Sequence, residues 1–249
     1  MVGLPPVDVV LEDEQPIFLR ESPMLTPCYH DTELTNIDQQ VSVSFISAGR
    51  IPGVIEYASS FLALKLVNYS FFFWLPYYLH NSFEWSEMES NSISTWFDVG
   101  GIIGGVVGGV GSDFWGLRSP VVFTMAVSAV PALFALRTSS DDKTVVSGLI
   151  TIVGIFIGGA SNMIGAACSA DLGRAAIDMG MGSAVPTVTG IIDGTGSIGA
   201  AIGQIAIPLM EEQMGWNSVF YMFMVMSGIS ALALLPITYR EMRSHYYHR

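Results

Sequence analysis

Residues Gly53 to Leu79 read GVIEYASSFLALKLVNYSFFFWLPYYL. A helix crosses a bilayer with about 20 apolar residues at about 1.5 Å rise each, so this stretch is long enough to span one. Near its middle stands a single basic residue, Lys65. It lies thirteen residues past Pro52, roughly 20 Å into the membrane by the same rise. A charge at that depth costs at least about 2.5–3.5 kcal/mol on insertion scales, and such residues usually face a polar cavity and mark a substrate or ion path. The alternatives for Lys65 are pairing with Glu56 or another buried acid, or snorkelling to an interface, which is difficult from mid-depth.

The rest of the chain agrees with a membrane reading. Of its 249 residues, 51% are hydrophobic and only 13% charged, where a soluble domain carries about 25% charged residues. Six apolar segments, at about 53–79, 93–111, 119–136, 145–167, 188–210 and 219–237, alternate with short polar separators: SFEWSEMES, SDFWGLRS, TSSDDKT, ADLGRAAIDMG and EEQMGWNS. Backbone groups in lipid need internal partners, so the segments must be helices packed as neighbours. The expected organisation is an acidic, proline-bearing, disordered segment at 1–47, a six-helix transmembrane bundle at 48–240, and a short tail at 241–249. The first segment carries eight acids against Arg20, and has neither the basic start nor the early apolar core of a signal peptide.

Several function classes fall away. The net charge of −12 is the opposite of a nucleic-acid footprint. Cys28 and Cys168 are too few for a disulfide framework, and neither they nor the four histidines have metal-ligand spacing, so no metal or cofactor is expected. Asp98 and Asp193 raise the idea of an intramembrane aspartyl enzyme, since two acids can share a proton. In such enzymes glycines precede the acid; here they follow it, and a non-enzyme is expected.

Lysine and arginine positions orient the bundle. Arg50, Arg118, Arg174, Arg240, Arg243 and Arg249 cluster at one set of ends, which puts both termini in the cytoplasm. The second span holds Gly100, Gly101, Gly104, Gly105, Gly108 and Gly109, and the fifth Gly190, Gly194, Gly199 and Gly203, a spacing that lets helix backbones approach closely. Asp98-Val-Gly-Gly-Ile-Ile-Gly-Gly in the second span aligns with Asp193-Gly-Thr-Gly-Ser-Ile-Gly-Ala in the fifth. These two spans run in opposite directions, as in two three-helix units of inverted topology, a transporter construction. Asp98 reads as an acid near the outer end of its span. Asp193 lies about seven residues inside the membrane and is a counter-ion for Lys65 or a contact for substrate or proton.

The turn after the second span, Gly109-Val-Gly-Ser-Asp113-Phe-Trp-Gly116-Leu-Arg118, resembles the signature loop of the major facilitator superfamily. Asp113 and Arg118 are expected to form a charged network across helix ends that holds one conformation, a gating role. Further motifs run from Arg50-Ile-Pro-Gly-Val through Lys65-Leu-Val-Asn-Tyr-Ser, Trp74-Leu-Pro-Tyr-Tyr, Ser169-Ala-Asp-Leu-Gly and Ile191-Ile-Asp-Gly-Thr-Gly to Gly215-Trp-Asn-Ser-Val-Phe-Tyr-Met. Together they are similar to the C-terminal half of the sugar-phosphate exchangers, the glucose-6-phosphate translocase-like solute carrier family 37.

That resemblance implies an all-α fold in which six helices form one half of a major facilitator carrier. It implies exchange of a phosphorylated sugar for inorganic phosphate across the endoplasmic reticulum membrane, with Lys65 as phosphate ligand. Asn68, Tyr69 and Trp74 then line the sugar end or merely pack. The N-terminal six helices of the family are not in this sequence, so the chain is expected to be inactive alone. The alternative is a non-transporting interaction or regulatory subunit that pairs with a full-length carrier.

Overall fold

A computed structural model describes residues 44–180 and 184–247; the acidic segment foreseen at the start of the chain lies outside the described residues, apart from its last few. The described residues form a short helix α1 (Phe45–Gly49), then α2 (Val54–Phe83), α3 (Glu87–Trp115), α4 (Ser119–Arg137), α5 (Lys143–Asn162), a π-helical turn (Met163–Cys168), α6 (Ser169–Asp178), α7 (Val185–Met214) and α8 (Trp216–Tyr247). With α5, the π turn and α6 continuous, six helices are long and apolar enough to cross a membrane.

The helices overrun the apolar windows. Hydropathy stops at the first charges, but helical hydrogen bonding does not. By hydropathy Ser86-Glu-Met-Glu89 belongs to a separator. It is in fact the start of α3: the Ser86 hydroxyl accepts from the Glu89 amide at 3.3 Å and the Glu89 carboxylate accepts from the Ser86 amide at 3.2 Å, the reciprocal cap of Ser-x-x-Glu. Ala170 to Asp178, also read as separator, is helical. The last helix runs on through Tyr247. Asp142 caps α5 by accepting from the amides of Thr144 and Val145 at 2.8 and 3.2 Å.

The packing pairs are α3 with α5, α2 with α7, α4 with α8, and then α2 with α8 and α4 with α5. Exchanging the first three spans for the last three turns the α2–α7 pair into the α5–α3 pair, turns α2–α8 into α5–α4, and maps α4–α8 onto itself. The inverted repeat read from the Asp-led motifs is therefore repeated in the packing.

Glycine makes the two tightest seams. A Cβ on Gly104 would stand 2.1 Å from the Ile155 carbonyl oxygen, one on Gly154 2.2 Å from that of Phe97, and one on Gly199 2.0 Å from that of Leu62. Without a hydrophobic force between helices in lipid, this close backbone approach is a main source of cohesion. Gly190 and Gly194 have open space around them, so the fifth span packs instead through Gly196, Gly199 and Gly203.

Candidate functional site

Lys65 lies eleven residues past the first residue of α2, about 17 Å along it. It is the one charged residue that α2 buries. Its side chain is 8% exposed, and its ammonium donates to Asp193 Oδ1 at 2.6 Å, to Ser197 Oγ at 3.1 Å and to the Asp193 carbonyl at 3.4 Å. The Phe61 and Tyr69 rings lie 5.1 and 5.5 Å from the ammonium, close enough for cation–π attraction. α7 can come this close because Gly196 faces the Lys65 stem; a Cβ there would stand 2.8 Å from Lys65 Cδ.

The pair is lopsided. Asp193 is 56% exposed, so the lysine is buried against the bundle while its counter-ion opens onto a face that nothing in the described chain covers. Of the two sequence readings for Asp193, the geometry realises the counter-ion. Glu56 does not reach Lys65. It accepts from the Gly53 amide at 3.2 Å, where Gly53 takes a φ of +102° to start α2, and meets Arg240 at 3.5 Å.

Tyr69 is exposed one turn beyond Lys65. Trp74 donates its indole N–H to Gln204 Oε1 at 2.8 Å, and Gln204 Nε2 reaches the Tyr69 carbonyl at 3.4 Å. Lys65, Tyr69, Trp74 and Asp193 thus belong to one polar seam between α2 and α7. Asn68 is turned elsewhere, toward Gly158 of α5, whose Cβ position lies 3.7 Å from Asn68 Oδ1. α3 begins at Glu87, so Asp98 lies eleven residues past its first residue, about 17 Å along the helix, and is exposed.

A second charged site joins the helix ends opposite. Gly116, at φ +66°, ends α3 in the left-handed conformation that glycine adopts without strain, and the chain turns at once into α4. The tight turn brings Arg118 back to Asp113 at 2.9 Å and to Ser112 Oγ at 2.9 Å. Arg118 also bonds Asp171 of α6, which in turn holds Arg174 at 3.0 Å. Partial burial works against the guanidinium charge, but the hydrogen bond and charge of Asp171, with Asp113 behind them, outweigh it and hold Arg118 above the ordinary arginine range. Glu241 of α8 accepts from the Ser119 amide at 3.1 Å, tying a third element to this end.

Two contributors escaped the sequence reading. Asp171 sits in the Ser169-Ala-Asp-Leu-Gly motif, and its signal was a second Asp–Gly–Arg grouping at a helix end. Gln204 had no motif around it; only its three-turn offset from Asp193 hinted at a shared face.

A six-helix bundle with inverted-repeat packing, a buried lysine in its first span and a charged turn after its second defines an all-α, multi-pass membrane protein. The Major Facilitator Superfamily profile matches residues 57–246, and the chain belongs to that superfamily. Within it, the chain is 48% identical over 202 residues to sugar phosphate exchanger 3 of Xenopus laevis, covering 81% of this chain and 40% of that protein. It is 45% identical over 218 residues to sugar phosphate exchanger 3 of Homo sapiens, covering 88% and 44%. It is 41% identical over 205 residues to the human glucose-6-phosphate exchanger SLC37A2, covering 82% and 41%. The chain spans about two fifths of the length of the curated relatives it matches.

Proposed function

We propose that residues 44–247 work as the C-terminal bundle of an antiporter that exchanges a phosphorylated sugar for inorganic phosphate. The observation that carries this reading is the Lys65 ammonium, buried at mid-span and held by a carboxylate that opens onto an uncovered face. Sugar phosphate exchangers are the relatives it resembles, and Lys65 is where such a substrate would be gripped. The ammonium has three protons, and in the structure Asp193 and Ser197 use them. A phosphate dianion carries more charge and more acceptor oxygens than one carboxylate. It displaces Asp193 from Lys65 and releases that carboxylate toward the uncovered face.

One ammonium does not neutralise a dianion. A second basic residue, from a six-helix unit facing this one, completes the site, and rocking of the two units exposes it to each side in turn. This bundle supplies one wall only, so by itself it does not transport. The Arg118–Asp113–Asp171 network would hold the state in which its end of the bundle is closed. The arginine-rich ends face the cytoplasm by the positive-inside rule, and the membrane is that of the endoplasmic reticulum.

The test is exchange in proteoliposomes by a twelve-helix carrier containing this bundle. Lys65→Ala is expected to reduce phosphate exchange at least about 30-fold, the lower range for truncating one member of a buried charge pair. Exchange at the unsubstituted rate, with equal protein in the membrane, sinks the proposal.

A further inference from the structure

We infer that Gln204 reads the sugar hydroxyls of the substrate whose phosphate Lys65 holds; this rests on the reading of Lys65 above. Asp193, Ser197 and Gln204 fall within about 40° on α7, since four and eleven residues are close to one and three whole turns. All three therefore look out on the same side. Gln204 lies beyond Lys65 along the seam, and its side chain leans back toward Lys65, as helical side chains do toward the N-terminus. The distance left between the Lys65 ammonium and the Gln204 amide is on the order of two turns, about 10 Å, the scale of a hexose phosphate.

The amide is held in one orientation. The Trp74 indole N–H can only donate, so the atom it meets at 2.8 Å is the oxygen; the Tyr69 carbonyl can only accept, so the atom facing it at 3.4 Å is the nitrogen. These two contacts use one lone pair and one proton. One lone pair and one N–H remain on a half-buried residue at the uncovered face. Adjacent ring hydroxyls offer the matching donor and acceptor; inorganic phosphate, bound at Lys65, does not reach them. Trp74 is thus a positioning residue for the amide, and the exposed Tyr69 ring between the two sites offers an apolar face to the sugar carbons.

The experiment compares two exchanges by the same twelve-helix carrier in liposomes: glucose 6-phosphate against phosphate, and phosphate against phosphate. Gln204→Leu is expected to raise KM for glucose 6-phosphate about 10-fold, the loss of one to two hydrogen bonds, and to leave phosphate self-exchange within about twofold. Trp74→Phe, which keeps a ring but frees the amide, should act in the same direction and less strongly. A deoxy analogue missing the hydroxyl that Gln204 meets should be carried equally by both proteins. If Gln204→Leu leaves both exchanges unchanged, or lowers both equally, Gln204 is only a link between α2 and α7 and the inference falls. A carrier that exchanges phosphate but no phosphorylated sugar overturns it too. If Lys65→Ala leaves both exchanges intact, the failure lies instead in the phosphate site on which the inference rests.

Discussion

Replacing Gly104 with alanine separates close helix packing from mere glycine content. The added methyl carbon would stand 2.1 Å from the Ile155 carbonyl oxygen and 2.8 Å from its carbon, both backbone atoms that cannot rotate away. Ordinary contact begins at 3.4 Å, so α3 and α5 must part by about 1 Å at this point. A gap of that size forfeits a quarter to a half of each van der Waals contact along the seam. Overpacking of this kind costs about 1–3 kcal/mol. Gly109, five residues further along α3, has nothing within 4 Å of its Cβ position. Alanine there meets no obstacle and gains up to about 1 kcal/mol of helix propensity. Gly104→Ala gains the same propensity, so the two substitutions should differ by the overpacking cost alone, about 1–3 kcal/mol, with Gly104→Ala the less stable protein. Reversible denaturant unfolding in mixed micelles, followed by tryptophan fluorescence, measures the difference. Equal effects, or a Gly104→Ala protein more stable than the Gly109→Ala protein, would refute the packing argument.

Asp171→Ala should loosen the arginine-rich end more than Asp113→Ala. Asp171 is the less exposed of the two and bridges Arg118 to Arg174, and exposed pairs contribute little. The expected losses are about 1–2 kcal/mol and under about 0.5 kcal/mol, read by thermal unfolding, and cysteine labelling near Ser112 should rise only in the first. Asp193→Asn keeps the shape of the Lys65 contact but removes the competing charge. Phosphate should then bind severalfold more tightly by equilibrium radioligand binding to the carrier; weaker binding would mean that Asp193 helps hold the anion. At the other end, the Trp85 indole donates to Asp141 at 2.7 Å and Lys143 meets Glu89 at 2.5 Å, fastening the α2–α3 turn to the α4–α5 loop. Asp141→Ala should cost about 1–2 kcal/mol by the same unfolding assay, because a bond to a charged acceptor is lost.

The spans were legible because lipid enforces one rule, long apolar helices, and six apolar runs admit no other fold. Their ends were not, because a helix continues as far as its backbone bonds and caps allow; the Ser86–Glu89 cap was visible in the letters but lay in a run of charges. Lys65 stood out because charge at mid-depth is costly, and Asp193 followed as the acid that could reach it. Asp98 lies further into its helix than the apolar window suggested, because α3 already starts at Glu87. Glycine spacing foretold close packing but not which face closes. Gly190 and Gly194 share the four-residue rhythm yet look outward, whereas Gly196 and Gly199 meet Lys65 and Leu62. Gln204 had no local pattern to mark it, and the Asp–Gly–Arg grouping around Asp171 did not show its partner, since each matters through a residue more than fifty positions away.

The central claim is that the positive charge of Lys65 grips phosphate. Lys65→Cys in the twelve-helix carrier should abolish exchange, and treating it with an aminoethylating reagent should restore it, because the modified cysteine returns an ammonium to nearly the same place. A reagent of the same size without charge should not. Exchange that persists in Lys65→Cys before any treatment, or that the uncharged reagent restores equally well, would contradict the account.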